Sequence, residues 1–300
     1  MTTSSAASPN PSASPAITAG LRERLDLILA RFGRDRAAQT GCPTVLPGCE
    51  PYEGGDGPLG VLVLHGFTGA PPSVRPWADR LERDGFRVSV PRLPGHGTTW
   101  QEMNQTRWED WYGEVESSFD ELASRCEHTF VCGLSMGGGL ALLLAARQGR
   151  RVAGLSLVNP SVHSTIAEQA ERGPVMLTMP VIRHVVPSIA AIGGDIAIPD
   201  TSEGAYDRTP LNAAWSLTQL WKVIQKELPR VEQPIRIYRS RTDHVVGPSS
   251  LAIITERTRS RDLEVVHLER SYHVATLDYD ADLIFSGTSE FFARLATAAK

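Results

Sequence analysis

The chain has 300 residues, 41% of them hydrophobic and 21% charged, and carries a formal net charge of -4 at pH 7. Such a chain can bury a sizeable core without metals or disulfides. It offers no basic footprint for nucleic acid and no polybasic patch for anionic lipid. Cys42, Cys49, Cys126 and Cys132 match neither zinc-ligand nor CxxC spacing. Cys132 reads as a buried core thiol. Cys42 and Cys49 are close enough in sequence to pair across a loop, although reduced thiols are the default.

Residues 1–20, rich in Ser, Ala, Pro and Thr, read as a disordered tail. They lack the basic and apolar regions of a secretory signal, so a cytoplasmic location is expected. Residues 21–36 read as an extra amphipathic helix, with Leu21, Leu25, Ile28, Leu29 and Phe32 at helical spacing. It is expected to pack on the domain surface, with membrane-surface docking or a dimer contact as alternatives. No run of eighteen apolar residues occurs, which argues against a spanning helix and stable membrane insertion.

The folded domain is expected over 43–300. Val61–Leu64 is a short apolar run of the kind a buried parallel strand shows. Pro72–Asp84 follows as a helix, stopped by Gly85, and Phe86–Val90 as a second strand. Trp108, Trp111, Tyr112, Val115 and Phe119 stripe a second helix. Thr129–Cys132 is a third strand, Met136–Arg147 a helix and Val152–Val158 a fourth strand. Further strands are expected at Ile235–Tyr238 and Leu263–Leu268, with a closing helix over Ile284–Leu295. This alternation predicts an α/β fold, a mostly parallel sheet with helices on both faces. The strand C-termini then share one edge, where such sheets bind ligands. About 161–232 interrupts the rhythm for too long to be a plain loop and reads as an inserted cap. Leu217, Leu220, Trp221 and Ile224 suggest a helix near its end.

The strongest chemical signal is Gly133-Leu134-Ser135-Met136-Gly137. A GxSxG string arises by chance in roughly one chain in ten of this length, so the string alone is weak. Here it follows an apolar strand and opens an Ala/Leu-rich helix, the setting in which a sharp turn projects a serine hydroxyl out of the sheet. Ser135 is therefore the candidate nucleophile. It needs an imidazole to take its proton and a carboxylate to fix the imidazole's tautomer, both later in the chain. Asp243, just past the strand Ile235–Tyr238, and His273, past the last strand, satisfy that order. Asp195, Asp200 and Asp207 lie within the cap, His267 is inside a strand, and His244 adjoins Asp243 too closely to bond it well. Backbone N–H groups of Met136, at a helix N-terminus, and Phe67, after the first strand, are the candidate oxyanion donors. Neutral imidazole is the working form, so activity is expected to fall in acid as His273 takes up a proton.

Six segments, Leu64-His65-Gly66-Phe67-Thr68-Gly69, Pro94-Gly95-His96-Gly97, Trp108 with Asp110-Trp111, Gly133 to Gly138, Thr242 to Val246, and Ser271 to Val274 with Thr276-Leu277-Asp278, together resemble one family. The chain is similar to the small bacterial carboxylesterases and monoacylglycerol lipases of the α/β-hydrolase family. The resemblance implies the α/β-hydrolase fold, Ser135, Asp243 and His273 as its triad, and Phe67 and Met136 as its oxyanion donors. It has no counterpart for the N-terminal tail and helix, and the cap diverges. The implied reaction is hydrolysis of monoacylglycerols or other short- to medium-chain esters through an acyl-serine. Apolar cap residues Met176, Leu177, Met179, Val181 and Ile182 either line an acyl tunnel or attach the cap to the core. A thioesterase or acyltransferase with the same triad, or a non-catalytic binding module, are the alternatives. No metal or organic cofactor is implied. The partner expected is a small-molecule ester.

Overall fold

Nine strands follow one another among the described residues: β1 (Tyr52–Gly54), β2 (Leu59–Leu64), β3 (Arg87–Val90), β4 (His128–Leu134), β5 (Val152–Val158), β6 (Ser188–Ala190), β7 (Arg208–Pro210), β8 (Ile235–Ser240) and β9 (Leu263–Leu268). The computed structural model describes residues 44–164, 174–191 and 194–298, with backbone alone for 174–177. The expected tail over 1–20 and helix over 21–36 lie outside the described residues, as does Cys42. Cys49 is a free, buried thiol.

Seven strands form one sheet in the order β1-β3-β2-β4-β5-β8-β9. All its pairings are parallel except β1 with β3. The central strands β2, β4 and β5 are buried almost throughout, because helices cover both faces. Successive side chains alternate between those faces. Val61 and Val63 join Val88, Phe130 and Cys132 beneath α1 (Arg75–Arg83), while Leu62 and Leu64 join Val131, Leu155 and Ile237 on the other side. That second face carries α3 (Trp108–Ala123), which follows the short α2 (Trp100–Met103), and α4 (Met136–Gln148). The closing helix α8 (Ala281–Ala298) returns to the first face, where Phe292 stacks on Phe130 at 4.4 Å between ring centroids. Each large side chain buried this way contributes roughly 1.5–3 kcal/mol of transfer free energy.

Between β5 and β8 the chain leaves the sheet. It forms α5 (Pro174–Ile182), the antiparallel pair β6–β7, and α6 (Leu211–Glu227), before α7 (Pro248–Arg257) follows β8. The helix expected around Leu217–Ile224 is thus longer than its apolar stripe. Ser216 Oγ of α6 accepts the Trp108 N–H at 2.9 Å, and Asn104 Oδ1 accepts the Asn212 N–H at 2.9 Å, which tie α6 to the start of α3 and the end of α2. Tyr206 adds a third tie, donating its hydroxyl to Gly95 O at 2.7 Å and accepting from Thr98 N at 2.9 Å. No helix among the described residues is long and apolar enough to cross a membrane.

Candidate active site

Strand β4 turns into α4 through Ser135, a non-glycine residue held at φ 54° and ψ -116°. A conformation this sparsely populated costs on the order of 1–3 kcal/mol and persists only where the surroundings enforce it. The enforcement is visible: the Ser135 N–H bonds Val158 O at 2.9 Å, and Ser135 O accepts from Ser161 N at 3.0 Å. The flanking glycines are obligatory for contact reasons. A Cβ on Gly137 would stand 2.3 Å from Leu64 O, and one on Gly133 2.4 Å from Gly137 O.

Ser135 and His273 line one cavity at the C-terminal edge of the sheet, together with Phe67. Asp243 lies behind His273, fully buried, its carboxylate 3.1 Å from His273 Nδ1. Asp243 Oδ1 accepts the N–H groups of Val245 and Val246 at 2.9 and 2.8 Å. Oδ2 accepts Arg239 Nη1 at 2.6 Å, from a guanidinium that also donates to Val246 O. Burial alone would push the Asp243 carboxyl up. The charge and hydrogen bond of His273, with the Arg239 charge and the Val246 N–H, outweigh it and bring it down to about 2. Asp243 is therefore an anion across the working pH range, fit to hold Nδ1–H and leave Nε2 as the acceptor.

Met136 is the first residue of α4, where N–H groups have no intrahelical partner. Its side chain is buried in the core. Phe67 sits on the loop after β2, and that loop is fixed by two buried imidazoles. Leu93 N donates to His65 Nε2 at 3.1 Å, so Nδ1 carries the proton and donates to Gly66 O at 3.0 Å. The His65 ring packs against His96 at 5.0 Å, and both Phe67 and His96 meet Trp111. Burial holds His65 at about 4, partly offset by its bond to Gly66, and holds His96 well below the ordinary range. Unfolded, His65 takes up a proton near pH 6.5, whereas folded it resists until about pH 4. Its contribution to stability is full above pH 6.5, falls between 6.5 and 4, and falls no further below. A urea titration series is expected to lose about 3 kcal/mol from His65 over that window. A stability constant from pH 7 to 4 would contradict a buried neutral imidazole.

Of the two expectations for the apolar residues of α5, the described ones follow attachment of the cap rather than an acyl tunnel. Met179 is buried against Leu211 and Ala214, with Ile182 packed on the same cluster, and Val181 is 75% exposed. None of the three lines the cavity that holds Ser135, and the side chains of Met176 and Leu177 lie outside the described residues. Apolarity in α5 reports attachment to α6 instead. The apolar wall comes from Leu134, Ala214, Leu217, Trp221, Val246 and Val274.

Two charged groups at the site escaped the sequence reading. Arg239 left a faint trace, a charge near the end of β8, four residues before Asp243. Glu203 left none. It sits in a polar stretch between β6 and β7, yet it lines the same cavity, nearly fully buried. Its Oε1 accepts the Gly194 N–H at 2.8 Å. Burial pushes the Glu203 carboxyl up, against the Gly194 bond and the His273 charge.

Residues 59–280 match the family described as serine aminopeptidase, S33. The chain is similar to the thermostable monoacylglycerol lipase of Bacillus sp. strain H-257, 40% identical over 252 residues, covering 84% of this chain and 97% of that protein. It is 27% identical to a carboxylesterase of Bacillus subtilis strain 168 over 245 residues, 81% of this chain and 95% of that one. Among solved structures, one reported under LipS and LipT, two metagenome-derived lipolytic enzymes, superposes with a TM-score of 0.78 at 37% identity. It covers 84% of this chain and 100% of that chain.

Proposed function

The chain belongs to the serine aminopeptidase S33 family of α/β-hydrolases and is a serine hydrolase, and from that premise we propose that its substrates are monoacylglycerols. The observation that carries this reading is the pairing, in one cavity, of a buried carboxylate with an apolar wall. A monoacylglycerol presents a diol and an acyl chain on either side of one ester bond. Glu203 suits the diol: a carboxylate has about four lone-pair sites, and Gly194 takes one of them. Leu217, Trp221, Val246 and their neighbours suit the chain, at roughly 0.8 kcal/mol per buried methylene. The segment between β5 and β8 then acts as a cap, supplying Glu203 and, in Ala214, Leu217 and Trp221, half of that wall.

In the mechanism we infer, Ser135 Oγ attacks the ester carbonyl while His273 Nε2 takes its proton. The oxyanion is received by the N–H groups of Phe67 and Met136, at a helix N-terminus that favours negative charge. His273 returns the proton to the departing glycerol oxygen, leaving an acyl-serine. Water, deprotonated by the same imidazole, releases the fatty acid and restores Ser135. Asp243 stays ionised throughout and steadies the imidazolium.

The test is fatty-acid release from 1-monolauroylglycerol beside release from p-nitrophenyl laurate. Removing a hydrogen bond to a charged group costs about 1.5–3 kcal/mol. Glu203→Ala is therefore expected to lower kcat/KM for the glyceride by about 10–100-fold, and for the nitrophenyl ester by no more than a few-fold. Equal losses on both esters would remove Glu203 from substrate recognition. A folded wild type that turns over thioesters or aminoacyl amides and leaves monolauroylglycerol intact would overturn the substrate reading.

A further inference from the structure

The backbone around His273 is held at every amide by an acidic residue. Asp280 Oδ2 accepts the N–H groups of Arg270 and Ser271 at 2.9 and 3.0 Å, and Asp278 Oδ2 accepts that of Tyr272 at 2.9 Å. From the opposite side, Asn159 Nδ2 donates to His273 O at 2.8 Å. Asp278 and Asp280 belong to the same C-terminal stretch as the loop they hold. At His273 itself the partner comes from elsewhere: Asp195, from the segment between β5 and β8, accepts the His273 N–H on Oδ2 at 3.2 Å.

The same oxygen accepts the N–H of His244 at 3.1 Å, and Oδ1 meets the His244 ring at Nδ1, 2.8 Å away. Asp195 O takes the Val274 N–H at 3.0 Å. One carboxylate thus joins the loop following Asp243 to the loop carrying His273, two stretches about thirty residues apart in sequence. Their separation sets the 3.1 Å contact between Asp243 and His273 Nδ1. Asp195 is mostly shielded, with 14% of its side chain exposed. Its own turn is pinned on both sides, by Gly194 N to Glu203 and by Ala197 N and Ile198 N to Asp278 at 2.8 and 3.2 Å.

We propose that Asp195 is a positioning residue for catalysis, a carboxylate supplied by the cap segment that fixes the distance between Asp243 and His273 by bonding the main chains of both loops. It touches neither substrate nor reacting atoms. The inference rests on the reading of His273 as the base and Asp243 as its partner. The cap segment then has two tasks: Glu203 faces the cavity, and Asp195, one residue beyond Glu203's own partner Gly194, holds the base in place. A misplacement of about 1 Å in a catalytic group costs on the order of 10²-fold in rate, so Asp195 acts on turnover more than on binding.

The experiment compares Asp195→Ala, Asp195→Asn and His273→Ala in the full chain, with p-nitrophenyl butyrate as substrate. Asparagine keeps an oxygen able to accept both N–H groups, whereas alanine does not reach them. Asp195→Ala is expected to lower kcat by about 10–100-fold with KM within about three-fold. Its low-field proton signal for His273 Nδ1–H is expected to broaden or vanish, and Asp195→Asn to recover most of both. If the alanine variant fails to fold, Asp195→Ser, polar but too short, carries the same expectation. A folded Asp195→Ala or Asp195→Ser with wild-type kcat and an unchanged proton signal overturns the proposal, as does an asparagine variant no better than alanine. An active His273→Ala would instead overturn the reading beneath it, and is distinguished by that result.

Discussion

Ser135→Ala is expected to abolish ester hydrolysis, lowering kcat by on the order of 10⁵–10⁶-fold, because no acyl-enzyme can form without the hydroxyl. The substitution is mild for the fold. Alanine keeps the Cβ, and the N–H of residue 135 can still bond Val158 O while its carbonyl accepts from Ser161 N. The strain at φ 54° is the same for either side chain, so the melting temperature is expected to stay within about 2 °C. Intact mass after a fluorophosphonate reads the result directly: one adduct on wild type and none on the variant. An adduct on Ser135→Ala, or residual turnover well above that expectation, would move the nucleophile elsewhere.

Asp243→Asn is expected to cost about 10⁴-fold in kcat and to destabilise the protein as well. The amide oxygen can replace Oδ1 toward Val245 and Val246, which places the NH2 where Oδ2 was. That NH2 then faces two donors, Arg239 Nη1 and His273 Nδ1–H. The imidazole relieves the clash by carrying its proton on Nε2, the nitrogen that must accept from Ser135. Arg239 has no such escape, since its guanidinium is largely buried and loses its counter-charge. Breaking a buried pair by removing one partner typically costs 3–5 kcal/mol. Chemical denaturation beside kinetics separates the two effects. A variant as stable as wild type would show that Arg239 finds its compensation elsewhere, and one as active would deny Asp243 its role.

The strands and helices of the sheet were legible because each is signalled within its own few residues. β2, β4 and β5 are short, predominantly apolar runs, and α3 carries its apolar residues at helical spacing. β1 was not, since Tyr-Glu-Gly at a sheet edge has no alternation to detect and is a strand only because β3 pairs with it. β6 and β7 are three residues each and exist through each other for the same reason. The stripe in α5 was legible as apolar, but apolarity states that a face will be covered and not by what. Met179 and Ile182 turned toward α6 and not toward the cavity.

Within the site the division is the same. The sequence by itself singled out the residues whose proposed roles follow from local geometry and order along the chain. A serine between glycines at a strand-to-helix turn, an aspartate and a histidine after the later strands, and two amides beside them are all constrained by the backbone within a few positions. Tertiary structure alone decided what surrounds them. The loop after β8 curls Asp243 back onto Arg239. Glu203 and Asp195 arrive from an irregular segment and meet partners 9 to 78 residues away. Such contacts have no period and no spacing rule. They arise when the fold closes off water, and a carboxylate left there must find N–H groups or a substrate hydroxyl to bond.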